Sequence, residues 1–136
     1  EVYRQTERLR QTLLAAVSGL FLAPAIACAF IVVDRHAPRG TVTEVRPCRN
    51  EDESALTYRL DSRDFMAALR ASEERGEGLV GCWHSHTHTD AYPSPTDIEQ
   101  AKWYPEWVYV IVSLRDGDPV LRAYWIRDGA VAERRR

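Results

Sequence analysis

An α/β fold with a mixed central sheet and a helix on each side is what these 136 residues predict, and three observations predict it. Apolar residues recur at helical spacing in two well-separated stretches, short β-branched runs alternate with those stretches, and Gly, Pro and Asp clusters mark the turns between them. Leu9, Leu13, Leu14, Val17 and Leu20 fall on one helical face, so residues 3–20 should form an amphipathic helix closing near Gly19. Pro24 blocks its continuation. Residues 27–33 (ACAFIVV) read as a strand covered on both faces. Pro38 and Gly40 turn the chain over 34–40, and Val42 and Val45 mark a second strand over 41–46.

Residues 50–54 form an acidic, solvated loop, and the alternation over 56–60 supports a third strand. Asp61 or Ser62 then offers an N-cap for a helix that buries Phe65, Met66 and Leu69, runs to about Arg75 and ends at Gly76. Residues 79–85 read as a strand, and a short helix runs from Pro95 toward Lys102. The near-continuous β-favouring run WVYVIVSL over 107–114 is a central strand. Asp116 to Pro119 turn the chain into a long strand carrying Leu121, Ala123 and Trp125, and Asp128 and Gly129 make a last hairpin turn. Internal repeats and low-complexity segments are absent from the sequence.

The chain has the length of one domain, residues 1–136, with room for a core that needs no staples. A formal charge of -2, 28% charged residues and a pI of about 6.1 provide no basic field for nucleic acid. The terminal run of arginines reads as a solvated tail. Cys28, Cys48 and Cys82 are odd in number and far apart, as suits reduced thiols in a cytoplasmic protein. An uncharged run from Gln11 to Val33 is long enough to span a bilayer, and Arg4, Arg8 and Arg10 upstream, with Ala25 and Ala27 in an AxA pattern, imitate a secretory leader. Glu1 and Glu7 spoil that leader and Ser18, Gly19 and Pro24 interrupt the run, so a helix followed by a buried strand explains it better than a membrane segment.

The chemistry concentrates between Gly81 and Asp97, GCWHSHTHTDAYPSPTD. Period-two alternation puts His84 and His86 on one strand face and Ser85 on the other. Ser94 reads as the N-cap, Pro95 as the first helical residue and Asp97 as a first-turn acid. A helix start of this kind is a variant capping box that any helix could carry. Taken together, two imidazoles from a strand and a carboxylate from a helix make three metal ligands with a fourth position left for water, the pattern of a zinc hydrolase.

The order His, x, His, seven residues, Ser, two residues, Asp resembles the JAMM (MPN+) zinc metalloprotease motif at every spacing, through His84, His86, Ser94 and Asp97. The resemblance extends to most of the chain and implies the JAMM/MPN fold, a cytidine deaminase-like α/β arrangement. It further implies Zn2+ held by His84, His86 and Asp97, with Ser94 stabilising the oxyanion. The Thr after the second His and the segment YPSPTD resemble the compact bacterial members. By that resemblance the activity is that of an isopeptidase or peptidase, deubiquitinase-like, cutting at the C-terminal tail of a ubiquitin-like protein. The alternative is a peptidase releasing cysteine from a sulfur-carrier protein, or a non-catalytic module that binds ubiquitin-like tails.

One departure from the family matters for catalysis. JAMM enzymes carry a glutamate before the first apolar strand that takes a proton from water and passes it to the leaving amine. Here that place falls on Ala25, Ile26 or Ala27, none of which moves a proton, and loss of a general acid/base costs about 10² to 10⁴ in rate. Three explanations compete. Glutamate has been replaced by alanine at Ala25 or Ala27 to trap a substrate complex, the chain is a natural binding protein, or Glu44 substitutes from the second strand. Trp83, Tyr92, Trp103, Tyr104 and Trp107 surround the motif in sequence and could wall a groove for an extended tail, though such aromatics are more often core. His88 is read as a rim residue, His36 as solvated and Asp90 as exposed loop.

Overall fold

In the computed structural model, residues 28–34, 41–52 and 58–134 are described. The expected helix over 3–20, His36, and Ala25, Ile26 and Ala27 lie outside them. The strands β1 (Cys28–Asp34), β2 (Thr41–Cys48), β3 (Glu77–His86), β4 (Val108–Ser113), β5 (Val120–Arg127) and β6 (Ala130–Glu133) form one sheet in the order β2-β1-β3-β4-β5-β6. Among the described residues two helices, α1 (Ser62–Glu74) and α2 (Pro95–Gln100), interrupt the strands, and a 3-10 turn (Ala101–Trp103) prolongs α2. The architecture is a mixed α/β sheet, as the resemblance to the JAMM/MPN fold leads one to expect.

Only β3 and β4 are parallel, and every other neighbouring pair is antiparallel. Parallel neighbours need a crossover rather than a hairpin, and that crossover is the segment between His86 and Val108, which carries α2. The carboxyl ends of β3 and β4 therefore open on the same edge, where crossover loops gather. β3 is buried over Gly81 to His86, as its central place demands. Its alternate side chains serve two cores. Trp83 packs with Ile31, Val110 and Val112 on one face, while Cys82 packs with Tyr109, Ile111, Tyr124 and Ile126 on the other.

Local sequence accounts for the element ends. Asp61 caps α1 by accepting from the backbone N–H groups of Arg63 and Asp64 at 2.9 and 3.0 Å, and Gly76 follows its C-terminus at φ +70°. Asp128 and Gly129, at φ 51° and 77°, make the left-handed turn that a right-twisted hairpin requires. Pro47 fits inside β2 because β2 is an edge strand and its missing N–H leaves no central ladder unpaired.

One expectation changes. Within 56–60, Tyr58 and Arg59 form no strand, and Leu60 contributes an isolated bridge to Asn50. Backbone pairing is limited to that bridge, with Glu51 N–H donating to the Arg59 carbonyl at 2.8 Å and Asp61 N–H to the Arg49 carbonyl at 3.0 Å. Asn50 Oδ1 accepts from the N–H groups of Asp52 and Arg59 at 3.0 and 2.9 Å, so a side chain takes the next ladder position. Asn50 is consequently buried rather than solvated. Of the helices expected on the two sides of the sheet, the one over 3–20 lies outside the described residues. Both described helices pack on the face carrying Cys82: Phe65 of α1 stacks against Trp107, and Ile98 and Ala101 join the cluster around Ile111. The uncharged run ends in β1 over residues 28–33, and among the described residues no helix is long and apolar enough to cross a membrane.

Gly81 lies directly against the β4 backbone, where an added Cβ would overlap the Val108 carbonyl oxygen. Gly81→Ala is expected to cost about 1–3 kcal/mol by forcing the parallel pair apart. Denaturant unfolding measures it, and a change within experimental error would disprove the close approach.

Candidate metal centre

The strand period places His84 and His86 on one face, and the helix start delivers Asp97 to them. The two Nε2 atoms stand 3.0 Å apart, and Asp97 Oδ2 lies 3.3 Å from His84 Nε2 and 3.1 Å from His86 Nε2. Three ligands at about 2.1 Å from a tetrahedral ion would be about 3.4 Å from one another, so the triangle is close to the size zinc requires. All three residues are buried, and among the described residues this is the one group of three His, Cys, Asp or Glu side chains whose ligand atoms could meet on an ion.

Supporting contacts orient each ligand. The Ser94 Oγ accepts from the Asp97 N–H at 3.1 Å, and Asp97 Oδ2 accepts from the Ser94 N–H at 2.8 Å, a reciprocal capping box. The oxygen that closes the cap is thus the one aimed at the imidazoles. His86 Nδ1 sits 2.8 Å from the Asp90 carbonyl and 3.0 Å from Thr89 Oγ1. Donation from Nδ1 to that carbonyl leaves the Nε2 lone pair directed at the centre, the tautomer a metal ligand needs. Ser113 at the end of β4 in turn donates to the Thr89 carbonyl at 2.6 Å. His84 is held differently. Its ring stacks on Tyr58 with centroids 4.2 Å apart, and its buried Nδ1 has no hydrogen-bond partner among the described residues.

Two converging imidazoles and a carboxylate with no cation share charge unevenly. Burial lowers the pKa of His84 below its ordinary value despite the pull of Asp97. Burial also opposes charge on His86, but Asp97 and the Asp90 carbonyl outweigh it and raise the pKa. Burial by itself would raise Asp97; hydrogen bonds from His84, His86 and the Ser94 N–H hold it well below the usual carboxylate range instead. Without a cation, positive charge is therefore favoured on His86 over His84, beside an Asp97 held ionised. A divalent ion would replace that charge, so its binding should release the proton that carries it.

Of the other residues singled out in the sequence, few reach the centre. His88 is exposed. Glu44 stands opposite Val32, four places along β1 from the Cys28 that faces His84, or about 13 Å along the strand. Its carboxylate is paired with Arg75 at 2.8 Å, so it cannot substitute for the missing glutamate. Trp83 points to the opposite face and belongs to the core, because it alternates with the ligands. Asp90, expected only as exposed loop, pairs with Arg115 and supplies the carbonyl that orients His86. Tyr58 and Thr89 carried no sequence signal of their role; their partners lie on other elements.

Tyr104 and Trp107 stack at 4.2 Å and wall a cavity of about 570 Å³ with Phe65, Met66 and Trp103. Cys82 and Tyr58 form its end nearest His84. Trp103 is 81% exposed and Met66 45%. Tyr92 stands apart, exposed and edge-on to Tyr124.

Residues 22–127 match the family described as prokaryotic homologs of the JAB domain. The chain belongs to that family. A relative in Mycobacterium tuberculosis, a CysO-cysteine peptidase, is 47% identical over 88 residues, which cover 64% of this chain and 60% of that protein. A desampylase of Haloferax volcanii is 40% identical over 91 residues, 66% of this chain and 63% of that protein. A probable TtuB-protein conjugate cleaving protease of Thermus thermophilus is 35% identical over 94 residues, 68% of this chain and 60% of that protein. The matched region thus spans under two thirds of each. The solution structure of a protein from Desulfitobacterium hafniense superposes with a TM-score of 0.76 and 28% identity, covering 96% of this chain and 86% of that one. The chain thus sits with the compact JAMM/MPN proteins of prokaryotes.

Asp97 and His84 act in one direction on acidification. The depressed Asp97 pKa contributes stability that is present above its unfolded value of about 3.8 and lost as pH falls through the folded one. His84, buried neutral, contributes above about 6.5 and loses it as the unfolded chain takes up the proton. His86 is opposite, contributing below about 6.5 and losing its share as pH rises through its folded pKa. In chelator, Tm should fall steeply below about pH 4, with a flatter acid limb for Asp97→Asn. Thermal melts from pH 3 to 8 check this, and parallel curves for the two proteins would refute it. Ser94→Ala removes one cap hydrogen bond and should cost about 0.5–2 kcal/mol in chelator, read from urea midpoints at constant m.

Proposed function

We propose that this chain is a zinc-dependent peptidase acting on conjugates of a small ubiquitin-like or sulfur-carrier protein, with release of a cysteine adduct from the carrier's C-terminal tail as the leading reaction. The observation that carries the reading is the buried triangle of two Nε2 atoms and one carboxylate oxygen, with edges of 3.0–3.3 Å. It is supported by the 47% identity to a CysO-cysteine peptidase and by relatives named for removing protein conjugates.

Zinc, held by His84, His86 and Asp97, would supply a Lewis acid that acidifies water and polarises a scissile carbonyl. The chain's own residues do the rest. Ser94 Oγ already accepts from the Asp97 N–H, so its remaining capacity includes an O–H that can donate to a developing oxyanion. The Tyr58 ring covers the buried face of His84 and keeps water from that side. The aromatic cavity beside Tyr58 and Cys82 offers an apolar wall for an extended tail. Of the five aromatics expected, Trp103, Tyr104 and Trp107 line that wall, joined by Phe65, while Trp83 is core and Tyr92 stands apart against Tyr124.

A second reading is favoured by one observation: residues 25–27 contain no acid. A chain with this site and no proton carrier binds carrier conjugates and turns them over slowly, by about 10² to 10⁴. The two readings share the metal and separate on activity.

Elemental analysis of the purified chain is expected to find about one zinc per chain, lost in His84→Ala and Asp97→Ala. Metal-free preparations that bind no added zinc would exclude the proposal. Given zinc, Ala25→Glu, Ile26→Glu and Ala27→Glu are each assayed on a carrier–cysteine adduct and on a carrier–lysine isopeptide. A gain of about 10²-fold or more in one of them is expected; zinc binding without a gain in any leaves the binding-module reading.

A further inference from the structure

The three cysteines are free thiols, and two of them face one another across an antiparallel ladder. Cys28 on β1 is directly opposite Cys48 on β2, their sulfurs are 3.2 Å apart, and the Cys28 thiol also reaches the Cys48 carbonyl at 3.5 Å. Directly opposed residues of an antiparallel pair have Cα atoms about 4.5–5.5 Å apart. A disulfide spans about 4.4–6.8 Å between Cα atoms, so closing this pair requires side-chain rotation and no movement of the strands. Cys82 is displaced along the ladder, opposite Phe30 rather than Cys28.

The position is as informative as the spacing. Cys28 also stands opposite His84 on its other side, so Cys48, Cys28 and His84 form one row across three strands. Tyr58, which stacks on His84, belongs to the same buried cluster as Cys28 and packs against Cys48. We infer that Cys28 and Cys48 are a redox-modification site, a dithiol that closes to a disulfide pinning the edge strand β2 to β1 beside the candidate metal centre.

The oxidant is a small-molecule disulfide. Cys28 is 3% exposed and Cys48 half-buried, so the Cys48 sulfur attacks first. The reagent's S–S bond breaks, one half leaves as thiol, and a mixed disulfide forms on Cys48. The Cys28 sulfur then attacks the Cys48 sulfur and expels the second half. Two electrons pass to the reagent, and the two protons of the dithiol end on its two released thiols. The hydrogen bond with Cys28, followed by burial, pushes the Cys48 thiol above its ordinary value, so the reaction is slow and needs excess reagent.

The test incubates the full reduced chain with excess oxidised glutathione, then alkylates the remaining thiols in denaturant and measures intact mass. The expected product has lost two hydrogens, carries no glutathione and takes up one alkyl group, on Cys82; dithiothreitol restores three. Peptide mapping of the wild-type protein should join the Cys28 and Cys48 peptides, which keeps the test independent of whether a variant folds. Cys48→Ser should abolish the cross-link and Cys82→Ser should keep it. Three alkylated thiols, a glutathione adduct that persists on Cys48, or a cross-link through Cys82 would each overturn the inference.

Discussion

Everything at the candidate centre follows from burying two imidazoles and a carboxylate within 3.3 Å of one another. Two neutral imidazoles with facing lone pairs repel, and a carboxylate stripped of water is costly. Positive charge favoured on His86 relieves part of that cost, and the His84 Nδ1 has no hydrogen-bond partner among the described residues. A divalent cation relieves more, since it accepts all three groups at once. The surrounding contacts preserve the arrangement rather than relax it: Asp90 and Thr89 fix one ring, Tyr58 the other, and Ser94 the carboxylate.

The helix start at Ser94 shows how an ordinary structural device also positions a site. A capping box needs Ser94 to take the Asp97 N–H and Asp97 to take the Ser94 N–H, and both bonds are present. The same Asp97 oxygen faces both imidazoles. The structural and functional readings of these residues are therefore one geometry. A helix of six residues cannot hold itself together alone, so the cap, the buried Asp97 and the packing of Ala101 stabilise each other.

What could be read from the chain, and what could not, divides by the distance over which the causes act. The α1 cap at Asp61, the stop at Gly76 and the turn at Asp128 and Gly129 were readable because each depends on the conformational limits of one or two residues. Over 58–60, the described part of the strand expected at 56–60, pairing stops at one bridge because the Asn50 side chain, nine residues away in sequence, takes the Arg59 N–H. Trp83 was weighed as a groove residue although its period set it opposite His84, and the structure places it in the other core. Tyr58 and the Asp90 carbonyl act on imidazoles from loops, with no periodicity to reveal them.

The sequence by itself determined the residue types of the candidate ligands and their faces, because a strand's period of two and a helix cap's spacing of three are properties of the backbone. It also determined that residues 25–27 offer no acid. Only the tertiary structure decided that Asp97 closes on both imidazoles, that Glu44 is tied to Arg75 far along the strand, and that Cys28 meets Cys48 and His84 in one row. Those outcomes depend on strand order and register, which are set by which apolar faces pack together across the whole sheet rather than by any local pattern.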